Sequence, residues 1–347
     1  MSLGRGTGSR PRAAAAPGAG GPGSRNGGTA ETRFTIVYHH RVFADGARPL
    51  YRLGVAERVL AGQLDALARR GMRAVTVSEG LARLAEGRGG HWVAFSFDDG
   101  YADNVTRALP LLAAAGGRAT FYLAAGLIER RTSPWWDDLA FTLATARIDR
   151  LRWQSNDLRY DLPVGTTAER TGALEALLPA FDVAPVEQAG RLASLREAMG
   201  GAAAAPCELA TWDQARRLVE AGMEVGTHTL THPFMSRLGA AEQEGEIAGS
   251  VDLIERRLGT RPRGLAYPGG DYDAWTLTAA ARAGLEHAVT TRAGDNRADT
   301  PRLELHRRGL PESACLGPAG RFSTRMTLAE LDGAFDGWRD AIQQGRA

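Results

Sequence analysis

Two short polar segments of the sequence carry side chains that could together hold one divalent metal ion. The first, residues 96–101, contains the adjacent carboxylates Asp98 and Asp99. The second, residues 228–232, begins and ends with a histidine. Carboxylate and imidazole both bind zinc, and a set of three protein ligands leaves an open coordination position for catalysis. The pair of segments therefore predicts metal-assisted hydrolysis.

Each polar segment follows a stretch that has the composition of a buried strand. Residues 92–97 are rich in aromatic and β-branched side chains and stop at Gly100, and residues 223–227 form a shorter apolar stretch. A regular strand would direct Asp98 and Asp99 to opposite faces, so a turn at Gly100 is needed to bring them into one pocket. One carboxylate could then bind metal while the other stays free as a base.

Either segment alone has a simpler structural interpretation. Adjacent acidic residues before a glycine are common in polar turns, and a loop can carry two histidines without a ligand. Because both segments occur in one chain, each after an apolar strand, the metal site is the favoured interpretation.

The segments 95–100 and 227–233 resemble the first two signature motifs of the NodB-type polysaccharide deacetylases, carbohydrate esterase family 4, in residues, order and separation. In that family the first aspartate is the general base, and the second binds metal with the two histidines. The resemblance implies that Asp98 is the base. The metal ligands that it implies are Asp99, His228 and His232.

A third segment, residues 265–270, resembles the third motif of the family, in which a main-chain N–H after a proline helps to form the oxyanion hole. The resemblance implies Gly269 as this donor. The arginine usual in that motif is missing, because Ala266 stands near its place and Arg263 is only close by in sequence. The group that orients Asp98 is left open.

The general acid has more than one candidate. In the family it is usually a histidine near the carboxyl end, and the stretch that ends at His306 is a loose match to that motif. Residues 34–40 resemble the amino-terminal YH motif of a branch that includes the exopolysaccharide poly-N-acetylglucosamine deacetylases, which implies His39 as the acid. His40 is a register alternative to His39.

We predict His39 as the acid because of its position. It ends an apolar strand that would open the barrel, whereas the charges of Arg307 and Arg308 would lower the pKa of His306 and make it a poorer acid.

The implied reaction removes acetyl groups from N-acetylated amino sugars in a polysaccharide, oligosaccharide or glycan precursor. Asp98 would take a proton from water, the Gly269 N–H would stabilise the oxyanion, and His39 would protonate the leaving amine. The expected cofactor is a divalent metal, with zinc the default for this ligand set, although cobalt, nickel and iron also suit it.

The motifs do not exclude three related interpretations. An O-acetyl esterase or a small-molecule amide deacetylase could use the same metal site, and a non-catalytic carbohydrate-binding relative could lack the motif arginine. A glycosidase is disfavoured because its carboxyl groups lie roughly 5–10 Å apart on opposite sides of the bond, which neighbours in sequence do not readily provide.

Composition narrows the remaining function classes. All 42 basic residues are arginine, and the absence of lysine excludes Schiff-base catalysis, pyridoxal-phosphate attachment and the P-loop lysine. A net charge of +2 indicates neither nucleic-acid binding nor attraction to a membrane surface. The cysteines, Cys207 and Cys315, provide no disulfide framework and no thiolate metal site. A carbohydrate substrate is the one partner expected, and the oligomeric state is unknown.

Alternating apolar strands and helical periods predict an α/β fold with a mainly parallel sheet, and the resemblance implies a distorted (β/α) barrel over about residues 33–126 and 205–310. The predicted strands lie near 34–38, 73–77, 92–97, 118–124, 223–227, 264–267 and 287–291, and the predicted helices near 55–69, 102–115, 211–221, 240–258 and 273–283.

The domain organisation that we expect is a disordered tail over residues 1–30 and a single deacetylase domain over 31–347. Within that domain, residues 130–205 would form an inserted cap-like segment, and 320–347 would contain a C-terminal amphipathic helix. In the insertion, Trp135 and Trp136 could stack on a sugar ring. Without a recognisable signal peptide or membrane-spanning run, a cytoplasmic location is predicted.

Overall fold

The structure is a computed structural model that describes residues 32–336 except 48, 157, 202 and 319. The predicted tail and the last part of the predicted C-terminal helix lie outside the described residues. In chain order the strands are β1 (Arg33–His39), β2 (Arg41–Phe43), β3 (Gly54–Ala56), β4 (His91–Phe97), β5 (Ala119–Leu123), β6 (Arg150–Ser155), β7 (Leu158–Pro163), β8 (Glu224–Thr227), β9 (Gly264–Ala266), β10 (His287–Val289) and β11 (Arg308–Gly309).

The helices fill the connections between these strands. They are α1 (Glu57–Ala68), α2 (Val77–Glu86), α3 (Leu109–Ala114), α4 (Ala125–Arg130), α5 (Trp135–Thr145), α6 (Thr167–Leu177), α7 (Pro185–Ala198), α8 (Trp212–Glu220), α9 (Ala240–Leu258), α10 (Ala274–Arg282) and α11 (Thr324–Leu331). A π-helical turn, Asn104–Ala108, leads into α3, and the predicted helix over 102–115 is therefore not a regular α-helix along its whole length.

Parallel strands form one curled sheet in the order β10-β9-β8-β5-β4-β1-β11. Leu305 forms a parallel bridge with Val289 in β10, and Arg308 pairs with Val37 in β1. The segment 305–309 therefore connects the two edges of the curled sheet. The predicted α/β class and the distorted (β/α) barrel are confirmed.

The two faces of the sheet are both apolar, as expected for parallel strands covered on each side. In β1, Phe34 and Ile36 face a cluster that also contains Ala266 and Val289, whereas Val37 faces the cluster built with the outer helices. This alternation places every second residue of a strand inside the barrel. The same alternation determines which side chains of the strand reach the site.

The strand predicted near 73–77 is wrong. Val75 forms only an isolated bridge to Ala94, and α2 begins at Val77. The hydroxyl of Thr76 accepts a hydrogen bond from the Glu79 N–H at 3.1 Å, which caps this helix. The cap outweighs the β-propensity of the valines and threonine.

The chain between β5 and β8 contains a segment with its own hydrophobic core. It consists of α5, the antiparallel hairpin β6–β7, α6 and α7. Its buried residues include Leu151, Phe181 and Leu195, and the barrel loop between β2 and β3 packs Leu50 and Tyr51 against them. The inserted segment is thus attached to a barrel loop by apolar contacts.

Within the described residues, every helix is too short or too polar to cross a membrane.

Candidate metal centre and active site

A cavity of about 260 Å³ lies at the carboxyl ends of the barrel strands. The predicted base, the predicted metal ligands and the predicted oxyanion donor all line it; they are Asp98, Asp99, His228, His232 and Gly269. Other lining side chains were not predicted as site residues, among them Tyr38, Tyr51, Leu53, Leu178, Phe234, Thr291 and Arg307. The fold therefore brings together predicted site residues that are up to 171 positions apart in the sequence, from 98 to 269.

A left-handed turn after β4 brings both carboxylates to this cavity. Ala94 and Ser96 face the barrel interior, and Asp98 continues that face beyond the end of the strand. Asp99 has a φ of 72° and Gly100 a φ of 82°. Aspartate tolerates this conformation better than most residues, and glycine adopts it freely. In a regular strand the Asp99 side chain would point away from the cavity. The turn directs it into the cavity instead.

The side chains of Asp99, His228 and His232 converge at one point. The Nε2 atoms of His228 and His232 lie 3.4 and 3.5 Å from Oδ1 of Asp99. One ligand atom from each residue falls within 4.8 Å of the others. An ion with ligand distances of about 2.0–2.2 Å can bridge atoms with this spacing.

The buried carboxylate of Asp99 fits a metal site. Both of its oxygens are buried and accept no hydrogen bond within the described structure. A buried carboxylate without hydrogen bonds is strongly unfavourable unless a cation compensates it. The two imidazoles beside it supply nitrogen donors, and the set therefore fits a divalent metal.

Hydrogen bonding and burial prepare the imidazoles for this role. Nδ1 of His228 lies 2.7 Å from the carbonyl oxygen of Ala266, so the ring N–H donates there and Nε2 is left with its lone pair. Burial, followed by the charge of His228, lowers the pKa of His232 to about 3, which keeps this ring neutral. Trp136 covers His232, with ring centroids 4.3 Å apart.

Glu246, on α9, holds the loop that carries the two histidines. Its carboxylate accepts hydrogen bonds from the backbone N–H groups of Leu230 and Thr231, at 2.9 and 2.8 Å, and from the Thr231 hydroxyl at 2.6 Å. Within this loop Thr229 and His232 have positive φ values of 63° and 58°. The carboxylate therefore stabilises a strained conformation that sets the ligand geometry.

Replacing Glu246 with alanine is expected to weaken metal binding about 10- to 100-fold, as the loss of an outer partner of a metal site typically does. Metal titration of the purified variant measures this. Glu244→Ala, on the exposed side of the same helix, is the matched control. An unchanged affinity in Glu246→Ala would show that the loop keeps its conformation without this carboxylate.

Arg307 supplies the guanidinium that the third motif lacks. Its Nη1 lies 2.8 Å from Oδ1 of Asp98, and its Nε donates to the carbonyl oxygen of Thr290 at 2.8 Å. Its guanidinium lies 4.7 Å from the ring centroid of Tyr38. Burial would raise the pKa of Asp98, but Arg307 and His228 lower it to about 2, so the carboxylate is ionised.

Arg307 is a functional residue that the sequence does not reveal. The sequence predicts for it only an effect on His306, and Arg263 is the nearest substitute for the missing arginine. Arg263 instead pairs with Glu286 on the surface. The sequence gives little indication of this role, because Arg307 lies next to Arg308 in a polar stretch. The pairing of β11 with β1 brings Arg307 into contact with Asp98.

The candidate acids lie in different places. His39 is 4% exposed and packs against Phe95 and Phe97, with ring centroids 5.8 and 5.7 Å away, on the side of the sheet opposite the cavity. Burial lowers its pKa to about 4. His40 is half-buried and lines the cavity. His306 does not line it. The placement of His39 does not fit the role predicted for it.

Gly269 lies at the cavity wall in a conformation that suits glycine. Its φ is 61°, and a Cβ there would come within 2.9 Å of the Phe234 ring. A larger residue would be strained at this position and would push against Phe234. The backbone of Gly269 therefore approaches the cavity without an intervening side chain.

Trp135 and Trp136, at the start of the inserted segment, border the cavity. Trp135 stacks on Phe181 of the segment's core, with ring centroids 5.3 Å apart. The indole N–H of Trp136 donates to the hydroxyl of Tyr101 at 2.8 Å, and that hydroxyl donates to Asp137 at 2.9 Å. The insertion thus contributes a fixed aromatic wall to the site.

The sequence matches a known protein family over residues 86–288, described as polysaccharide deacetylase. This region is more than half of the 347 residues. A curated relative, YxkH of Bacillus subtilis (strain 168), whose name assigns it to the polysaccharide deacetylases, is 30% identical over 97 residues. The match covers 28% of this chain and 35% of that protein, so it spans about a third of the relative's length.

Two solved structures share the fold. The Streptococcus pyogenes deacetylase PplD, in complex with acetate, superposes with a TM-score of 0.53 at 19% identity, over 80% of this chain and 92% of that one. IcaB from Ammonifex degensii superposes with a TM-score of 0.54 at 20% identity, over 87% of this chain and 99% of that one. At these identities the likeness concerns the fold.

Proposed function

The chain belongs to the polysaccharide deacetylase family, and we propose that it is a metal-dependent enzyme that removes acetyl groups from N-acetylated amino sugars. The observation that carries this proposal is the convergence of Asp99, His228 and His232 beside the Asp98–Arg307 pair in one cavity. This arrangement combines a metal site with a separate ionised carboxylate.

Asp99, His228 and His232 would hold the metal. A divalent ion bound there would act as a Lewis acid on a carbonyl oxygen and make water more acidic. Zinc is the default for these donors, with cobalt, nickel and iron as alternatives.

Asp98 is the proposed general base. Because Arg307 keeps it ionised and fixed in orientation, it can accept a proton from the water that attacks the acetamido carbonyl. The N–H of Gly269 is the proposed donor to the oxyanion that forms. The guanidinium of Arg307 also weakens the case for a non-catalytic relative, because the missing third-motif arginine was the only feature in its favour.

We propose His40, rather than His39, as the general acid for the leaving amine. His40 lines the cavity and faces the same side of β1 as Tyr38, whereas His39 packs against the outer core. The likeness of this stretch to an amino-terminal YH motif stays part of the proposal, with the roles moved by one residue.

The assignment of the acid predicts a leaving-group effect. His40→Asn is expected to lower kcat for an N-acetyl sugar about 100-fold or more, because an amine leaves only when protonated. The same variant should cleave p-nitrophenyl acetate at close to the original rate, since its leaving group needs no proton. His39→Phe, which keeps an aromatic ring against Phe95, is the comparison variant. An equal loss on both substrates, or a larger loss in His39→Phe, would refute the assignment.

De-N-acetylation and O-deacetylation pass through the same kind of oxyanion and must be separated by experiment. The test incubates the metal-loaded protein with chitooligosaccharides and with an O-acetylated glycan, and quantifies both acetate and free amine. Equal amounts of acetate and new amine from the chitooligosaccharides are expected. Acetate from the O-acetylated glycan alone would identify an esterase.

The predicted cytoplasmic location favours a nascent glycan, a lipid-linked sugar or a small biosynthetic intermediate as substrate. We keep this location as part of the proposal. Fractionation of cells that express the full chain tests it, with the protein expected in the cytoplasmic fraction.

A further inference from the structure

We propose that the inserted segment forms a second sugar-binding site next to the catalytic cavity, which takes the neighbouring unit of an N-acetylated oligosaccharide. This inference rests on the proposed function, because the reacting sugar must occupy the cavity beside Asp98. The second site would make this protein bind oligosaccharides more tightly than single sugars.

A cleft of about 510 Å³ runs between the barrel loop 49–52 and helix α6. Tyr51 and Leu178 line both this cleft and the catalytic cavity. These two side chains therefore lie between the cavity and the cleft. A ligand that extended past them from the catalytic cavity would reach the cleft.

The sizes of the two spaces suit successive parts of one ligand. The catalytic cavity, at about 260 Å³, is smaller than the roughly 300–1,000 Å³ of pockets that bury a drug-sized ligand. It has room for one reacting sugar, and the next unit of an oligosaccharide must lie outside it. The cleft, at about 510 Å³, is within the usual range for a ligand site.

The lining of the cleft has the chemistry of a sugar site. The exposed side chains of Arg52 and Glu175 line it, and neither forms an ion pair or side-chain hydrogen bond within the described part of the chain. The Thr171 hydroxyl donates to the carbonyl oxygen of Thr167 at 3.0 Å, so its lone pairs remain available to accept. These groups match sugar hydroxyls, while Tyr51 and Leu178 offer apolar surface to a sugar ring.

The same lining argues against a hydrocarbon ligand. The exposed guanidinium of Arg52 and carboxylate of Glu175 line the cleft, and a lipid chain laid over them would remove part of their water without giving them partners. Sugar hydroxyls replace the lost water instead.

The cleft is held in shape before any ligand binds. Leu50 and Tyr51 pack against the hydrophobic core of the inserted segment, to which the buried Leu174 of α6 belongs. Because the loop and the helix share this core, little ordering is needed on binding, and a preformed site loses less affinity to ordering.

The test measures binding of glucosamine and its β-1,4-linked dimer and trimer to the metal-loaded protein by calorimetry. These are the products of the proposed reaction, so no turnover disturbs the measurement. We expect the trimer to bind about tenfold more tightly than the monomer. In Glu175→Ala, and in Thr171→Trp, which fills the cleft, this gain should fall to about twofold or less. Glu197→Ala, an exposed residue of α7, is the control and should retain the gain.

Two results would overturn the second site: no gain with chain length in the unaltered protein, or a full gain in both cleft variants. Acetate release from N-acetylated chitooligosaccharides is measured on the same preparations. Its absence would refute the deacetylase proposal, whereas the binding series would still report on the cleft.

Discussion

Asp98→Asn is expected to lower the rate of acetate release by about 10³-fold or more while the protein still binds one metal ion. The amide cannot accept the proton of the attacking water, and general acid–base groups contribute about 10²- to 10⁴-fold. Asp98 is not among the side chains that converge as ligands, so the metal content should not change. Acetate release and metal content, measured on the same sample, check both parts.

The stability of this variant must be measured with its activity. Asp98→Asn leaves the Arg307 guanidinium buried without its carboxylate, and breaking a buried pair from one side costs about 3–5 kcal/mol. The double variant Asp98→Asn/Arg307→Met removes this uncompensated charge. We expect it to recover most of the free energy of unfolding and none of the activity. Recovery of activity would mean that Asp98 acts through stability and not as a base.

Asp99→Asn is expected to abolish tight metal binding and, with it, the stabilisation that metal gives. A metal at 100 times its Kd stabilises the folded state by about 2.7 kcal/mol. The unaltered protein should therefore melt at a higher temperature with zinc than with a chelator, and Asp99→Asn should melt at the same temperature in both.

The same variant tests the interpretation of the buried carboxylate. Without metal, burial disfavours the charge of Asp99, but the neighbouring imidazoles offset this cost and lower its pKa. In chelator, Asp99→Asn should therefore differ little in stability from the unaltered protein, and the difference between the two proteins should appear only with metal. Asp213→Asn, an exposed change in α8, controls for the general loss of a carboxylate. A metal-dependent shift that persists in Asp99→Asn would contradict the ligand assignment.

The sequence located the parts of the site that depend on local patterns. The two carboxylates and the two histidines stand directly after apolar strands, and parallel strands bring their carboxyl ends to the same edge of the sheet. Their convergence around Asp99 follows from the fold class together with the motif spacing. A turn at Gly100 was also predictable, because neighbouring carboxylates can share one pocket only if the strand turns; its left-handed conformation is seen in the structure.

The register of β1 could not be read from the sequence. Both faces of this strand are apolar, so hydrophobic alternation does not tell which face lines the barrel. The structure places Tyr38 and His40 on the cavity side and His39 on the outer side. A shift of one residue exchanges the two faces, which is why two adjacent histidines left the choice open.

The position of Arg307 and the cleft between loop 49–52 and α6 both depend on contacts between distant segments. Arg307 reaches Asp98 only because residues 305–309 connect the edges of the sheet. The cleft exists only because Tyr51, from a barrel loop, packs against the inserted segment. Neither contact leaves a periodic signal in the sequence. The length of the insertion predicts a cap-like segment. Only the structure shows that Trp135 and Trp136 of this segment line the cavity.

The most direct test of the central claim is acetate release from N-acetylglucosamine oligosaccharides before and after removal of metal. We predict that chelator-treated protein releases no acetate and that one equivalent of zinc, cobalt or nickel per chain restores release together with an equal amount of free amine. Undiminished release from protein shown to contain no metal would contradict the account.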